Sequence, residues 1–286
     1  MTALVSITKL NKSYQDKPVL RDVDLTVNTG QILGLVGPNG AGKTTCLQAL
    51  LGLISYQGDI DILGYSPNKQ REKMLNDVAY IADVATLPKW IKVNQALNYM
   101  EGVHPNFKRE KAEEFIAKTN IPMSARVKTL SKGMVTQLHL SLILAIDAKV
   151  LILDEPTLGL DILTRRQFYR HLLEDFYTED KCIIVTTHQI EEIEHILTDV
   201  AFIRDGQIVL SQSVDDIRER FKLVTVTNDN IDAAKALSPL FCNSIMGLST
   251  LLFDQADEAE LVQLGNVSSP TLADIFVGVM TQETGV

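Results

Sequence analysis

The stretch G-P-N-G-A-G-K-T-T, residues 37–45, is the place where the sequence declares its fold. It satisfies the pattern G-x-x-x-x-G-K-[ST]. Before it stands a continuous apolar run, Q-I-L-G-L-V (31–36), and after it C-L-Q-A-L-L-G-L (46–53), which reads as a helix closed by glycine. Strand, glycine-rich turn and helix in that order make a nucleotide-binding α/β unit. In such a loop the glycines let backbone N–H groups curl around phosphates, a lysine reaches the β and γ oxygens and a hydroxyl ligates Mg²⁺. Gly37, Pro38, Asn39, Gly40, Ala41, Gly42, Lys43, Thr44 and Thr45 are therefore candidate phosphate ligands, with Lys43 also catalytic and Thr44 also a metal ligand. The loop alone does not choose among kinases, GTPases and motors.

Two further apolar runs, K-V-L-I-L (149–153) and K-C-I-I-V-T-T (181–187), are continuous rather than alternating, as buried parallel strands are. The first ends in D-E-P. Asp154 can hold Mg²⁺ through its water shell, and Glu155 can orient and deprotonate an attacking water. One carboxylate for metal and one for water suits hydrolysis; the bland alternative is a charged pair capping a strand. His188 follows the second run. Ligands of such sheets bind at the carboxyl ends of the strands, so its imidazole can reach a γ-phosphate, although a structural histidine would look the same in sequence. His104, His139, His171 and His195 read as surface or packing residues.

Outward from this centre, S-I-T-K-L (6–10) and L-R-D-V-D-L-T-V (20–27) alternate like antiparallel strands with one wet face. N-Q-A-L-N-Y-M-E-G (94–102) and K-R-E-K-A-E-E-F-I-A-K (108–118) read as helices inserted between the parallel strands, a helical subdomain over about 87–147. R-D-G (204–206) is a hairpin signal, and after D-D-I-R-E-R-F-K (215–222) the chain turns to short strands and helices. The expectation is an α/β protein: a P-loop NTPase core with a mixed, mostly parallel sheet, an N-terminal antiparallel β subdomain, the helical insert, and a small C-terminal α+β extension. Residues 1–221 would form the nucleotide-binding domain and 222–286 an accessory domain.

A net charge of −9 leaves no basic footprint for nucleic acid, which is not expected as a partner. Cys46, Cys182 and Cys242 lie far apart without C-x-x-C spacing, which argues against a zinc site or disulfide framework and fits a reducing, cytoplasmic setting. The N-terminus lacks a signal-peptide apolar core. The most apolar stretch, Leu138 to Leu153, is broken by Asp147 and Lys149, so it reads as two buried elements and no membrane span is expected.

T-L-S-K-G-M (129–134) places a serine N-cap before an apolar helix, a start that favours an anion. With it, the order of parts is phosphate loop, helical insert, L-S-K-G-M, D-E-P, L-G-L-D (158–161) and a strand ending in histidine. Over about the first 215 residues this resembles the ATP-binding subunit of ABC transporters, closest to the ABC-2, antibiotic- or polysaccharide-export type. The resemblance implies ATP and Mg²⁺ as cofactors and Mg²⁺-dependent ATP hydrolysis driving export through a separate transmembrane subunit. It also implies a dimer of two ATP-binding subunits, peripheral on the inner face of the cell membrane. Ser131 and Gly133 would bind the γ-phosphate of ATP held on the opposite subunit's phosphate loop, Tyr14 would stack on adenine, and Asp161 would lie in the loop that crosses the dimer interface. Tyr14 is also readable as an ordinary strand tyrosine, and Asp161 as a helix cap, a role compatible with the interface one.

Two positions depart from the family. Asp83, in V-A-Y-I-A-D, stands where glutamine is usual, touching Mg²⁺ and the attacking water; Lys132 stands where glycine is usual, near the partner's phosphate or in solvent. In T-L-P-K-W-I-K-V (86–93), Trp90 either lines a groove for the transmembrane subunit or packs inside. P-T-L-A-D-I-F-V-G-V-M (270–280) resembles the closing helix of export-type ATPases. The competing readings are a soluble ABC-type ATPase and a regulatory nucleotide binder not coupled to transport.

Overall fold

The computed structural model describes residues 2–82, 87–158, 160–245 and 247–281. The alternating N-terminus forms two long antiparallel strands, β1 (Ala3–Tyr14) and β2 (Lys17–Asn28), which bury Val5, Ile7, Leu20 and Val23 on one face. Gln15 and Asp16 turn between them with φ of 47° and 66°, the primed turn whose twist matches the strands. The chain continues through β3 (Ile32–Val36), α1 (Lys43–Leu50), β4 (Gln57–Ile62), α2 (Pro67–Met74) and β5 (Val78–Ile81). Three helices of the insert follow: α3 (Val93–Val103), α4 (Arg109–Ala117) and α5 (Lys132–Leu144). Then come β6 (Val150–Asp154), α6 (Ile162–His171), β7 (Cys182–Thr187) and the hairpin of β8 (Asp199–Arg204) and β9 (Gln207–Ser213).

The central sheet has the order β5-β6-β7-β3-β8-β9, parallel except for β9, while β2-β1-β4 form a separate antiparallel sheet. Successive residues of the parallel strands go to opposite hydrophobic layers. Ile32, Leu151, Leu153, Ile183 and Val185 face the helices of the insert and α6; Leu33, Leu35, Val150, Ile152 and Ile184 face the antiparallel sheet and α1. Burial on both faces is why these strands read as unbroken apolar runs. It also leaves the strand ends as the places for polar side chains.

Beyond β9, Ser213 caps α7 (Val214–Arg220) by accepting from the Asp216 N–H at 3.1 Å. A second sheet begins at β10 (Phe221–Thr227), which joins β11 (Phe241–Ile245), β12 (Leu248–Asp254) and β13 (Asn266–Ser268) in the order β11-β12-β10-β13. Helices α8 (Ile231–Ala236) and α9 (Glu258–Leu264) share a small core with Val224, Val226, Leu251 and Phe253. The last helix, α10 (Leu272–Thr281), instead buries Leu272 and Ile275 in the larger core together with Leu252. Among the described residues no helix is long and apolar enough to cross a membrane.

Phe253 is 1% exposed at the centre of the small core. Phe253→Ala should destabilise the second sheet by about 3–5 kcal/mol, through lost burial and the cavity left behind, read as a lower urea midpoint with faster amide exchange in β10 and β12.

Candidate functional site

The carboxyl ends of β3, β6 and β7 converge on an open cleft of about 500 Å³ lined by Val19, Asn39, Gly40, Gly42–Thr45, Glu155, Leu158 and His188. Residues read from three separate parts of the sequence thus meet. Gly42 has φ of +110°, a conformation that favours glycine where the loop enters α1, and a Cβ there would press on Leu20 Cδ2 at 2.8 Å. α1 opens with Lys43 and has no acidic residue in its own first turn, so its first N–H groups and dipole favour an anion at the cleft.

Lys43 is 7% exposed and folds back on the loop, donating from Nζ to the carbonyls of Gly37 at 2.6 Å and Pro38 at 3.3 Å, with Glu155 Oε1 at 3.9 Å. Burial lowers its pKa below the ordinary 10.5, against the opposing pull of Glu155 and Asp154. Asp154 is buried and accepts a 2.6 Å hydrogen bond from the Thr186 hydroxyl; the Thr44 hydroxyl lies 3.5 Å from the same carboxylate oxygen. A hydroxyl and a carboxylate oxygen beside a phosphate loop are hard oxygen donors, and they fit Mg²⁺, which takes one or two protein ligands and completes its shell with water and phosphate. Among the described residues no cluster of three His, Cys, Asp or Glu side chains stands ready to hold a metal without such help.

Glu155 has φ of +46°, a strained setting for a residue with a long side chain. Its N–H donates to the Thr186 carbonyl and hydroxyl, both at 3.2 Å, and its two carboxylate oxygens lie 2.9 Å from His188 Nδ1. His188 therefore grips the acid with Nδ1, and among the described residues its other ring nitrogen makes no hydrogen bond.

The remaining sequence candidates lie elsewhere. Ser131 is the N-cap of α5, accepting from the Met134 N–H at 3.2 Å; it is exposed and does not line the cleft, nor does Gly133. Lys132 is exposed, as its solvent reading expects. Asp161 caps α6, accepting from the N–H groups of Leu163 and Thr164 at 3.0 Å, and the Thr164 hydroxyl bond holds its carboxyl below the usual range. Tyr14 sits beside the β1–β2 turn, half-exposed, with the Lys12 ammonium 4.8 Å from its ring centre. Asp83 lies outside the described residues. Trp90 is 71% exposed, which removes its internal-packing alternative. Sequence reasoning missed Thr186, which orders both acids; the available signal was a hydroxyl pair, Thr186–Thr187, at the end of an apolar strand. Val19 and Leu158 of the cleft wall carried no signal.

The ABC transporter family model matches residues 20–158, a span that runs from β2 through the phosphate loop and insert to the acids after β6. The lantibiotic transport ATP-binding protein SrtF of Streptococcus pyogenes is 30% identical over 217 residues, covering 74% of this chain and 92% of that protein. The chain belongs to the ATP-binding subunits of ABC transporters. As an ABC subunit it binds and hydrolyses ATP, and subunits of this kind work with transmembrane components. The Nod factor export ATP-binding protein I of Cupriavidus pinatubonensis is 29% identical over 277 residues, covering 92% of this ABC subunit and 83% of that protein, so the likeness extends into the second sheet. A solved ATP-binding subunit of an ABC transporter superposes with a TM-score of 0.68 over 76% of this chain and 92% of that one, at 24% identity, and so shares its fold.

Lys43 supplies a pH test of the cleft. In the free subunit its lowered pKa means that, between that value and 10.5, the folded chain holds fewer protons than the unfolded one, so stability rises with pH across this window. A bound triphosphate favours the ammonium and raises the pKa again. ATP binding in that window should take up protons, and the uptake should vanish at pH below it; calorimetry in buffers of different ionisation enthalpy measures it.

Proposed function

We propose that this subunit works as a dimer in which two ATP molecules are sandwiched, each between the phosphate loop of one copy and Ser131 with Gly133 of the other. The observation that carries this reading is a divided site. One cleft gathers Lys43, Thr44, Glu155 and His188 with Asp154 beside it, while the capped N-terminus of α5 is exposed and away from that cleft. A helix start of that kind favours an anion, and a second molecule facing the cleft would bring one to it.

Within each site the residues take distinct tasks. The backbone N–H groups of Gly37 and of residues 39–45 surround the phosphates, and Lys43 exchanges its loop carbonyls for the β and γ oxygens. Mg²⁺, held by Thr44 and through water by Asp154, would neutralise charge on the phosphates; Asp83 would touch it in turn. Glu155, held by His188, takes the proton of the attacking water, and the second ring nitrogen of His188 faces the γ-phosphate. Tyr14 packs against adenine, and Asp161 fixes the loop between the two sites. The γ-phosphate is then the contact that distinguishes the closed dimer from the open one, so its loss reopens the assembly.

Residues 1–221 form the ATP-binding domain on this reading and 222–286 an accessory domain. The exposed Trp90, Tyr99 and Val103 on and before α3 give the insert an apolar surface suited to a short helix of a transmembrane subunit at the inner face of the membrane. Export is the favoured direction, because one relative is named as a Nod factor export protein.

Glu155→Gln should bind ATP, lose roughly 10²–10⁴ in turnover, and accumulate as a dimer in size-exclusion chromatography with light scattering. A variant that stays monomeric at saturating Mg-ATP would contradict the sandwich.

A further inference from the structure

The β8–β9 hairpin overhangs the phosphate loop. Pairing of β8 with β3 ends at Phe202 opposite Val36, and a bulge between Phe202 and Ile203 re-aims the tip. Past the bulge the tip holds the loop at two points. A Cβ on Gly37 would lie 2.4 Å from the Ile203 carbonyl, so the loop's first residue is pressed against β8; at the far end, the Gly206 N–H donates to the Ala41 carbonyl at 3.0 Å. Between these contacts lie the backbone N–H groups of Asn39 and Gly40.

The tip is itself held from two sides. Arg21 of β2 donates to the Asp205 carbonyl at 2.6 and 3.0 Å. On the other side, Arg204 Nη1 donates to the carbonyls of Val279 and Met280 at 2.9 and 3.3 Å, in the last turn of α10, where a helix leaves carbonyls unpaired and favours a cation. The Phe276 ring stands edge-on to Phe202 at 5.3 Å, and the Leu272 N–H donates to the Glu194 carboxylate at 3.2 Å. The last helix of the accessory unit is thus fastened at its start to Glu194, ahead of β8, and further along to Phe202 and Arg204 of the strand that carries the tip.

We propose that Arg204 is a positioning residue for ATP binding: through it, α10 braces the hairpin tip and keeps the phosphate loop in its binding shape without touching the nucleotide. The inference rests on the reading that residues 37–45 bind ATP. A loop whose ends are already fixed loses less conformational freedom when the phosphates arrive, and releasing α10 would let the tip pivot at the bulge.

The test uses the full-length chain and compares wild type with Arg204→Met, Arg204→Lys and Phe276→Ala. Leu261→Ala, in the small core away from the hairpin, serves as a stability control. Calorimetry gives Kd for Mg-ATP, steady-state assays give KM and kcat, and scanning fluorimetry gives Tm. Arg204→Met and Phe276→Ala should raise Kd and KM about five- to tenfold with kcat within about twofold, Arg204→Lys should recover part of the affinity, and Leu261→Ala should lower Tm with Kd unchanged. If Arg204→Met fails to fold, Phe276→Ala carries the comparison. Wild-type Kd in both variants overturns the inference, as does an equal loss of affinity in Leu261→Ala, which would mark a general effect of instability. A wild-type chain that binds no nucleotide would instead refute the ATP-site reading beneath it.

Discussion

A parallel sheet covered on both faces can place a charged group only where a strand ends, because a charge in mid-strand would sit unpaired among apolar side chains. The central sheet obeys this from β5 to β8, with hydrophobic layers on each side. Its carboxyl edge therefore collects the polar chemistry of the molecule: the loop after β3, the two acids at the end of β6 and the histidine after β7. The site is a consequence of the core, and the geometry of the edge sets the distances among its groups.

At that edge one hydroxyl does much of the ordering. Thr186 donates to Asp154 and receives the N–H of Glu155, so neighbouring strands settle the metal-side acid and the water-side acid together. Glu155 keeps a positive φ that costs on the order of 1–3 kcal/mol, offset by these bonds and by the grip of His188. Its carboxylate lines the cleft. In the proposed dimer, the exposed cap of α5 would bring an anion-favouring helix start to the far side of the triphosphate from a second copy.

The second sheet belongs to this arrangement through α10. Its own core is small, and α10 spends its apolar face on the larger core instead. Fastened at Glu194, Phe202 and Arg204, that helix reaches the back of the phosphate loop by way of a bulged hairpin. An appended unit can thereby bear on the nucleotide site from a distance, through backbone contacts at Gly37 and Ala41.

Much of this was legible in the amino-acid order. Period and punctuation identify the antiparallel entry strands, the buried parallel strands, the inserted helices and the phosphate loop, because each depends on neighbours a few residues apart. Lys43, Thr44, Asp154, Glu155 and His188 were legible for the same reason, since each stands at a recognisable strand end or turn. Only the folded chain decided that Thr186 orders both acids, that Trp90 faces solvent, that the cap of α5 lies away from the cleft, and that Arg204 holds carbonyls 75 residues further on. Those outcomes depend on strand order and on a bulge that aims a hairpin. Contacts between residues so far apart in the chain leave no local period to read.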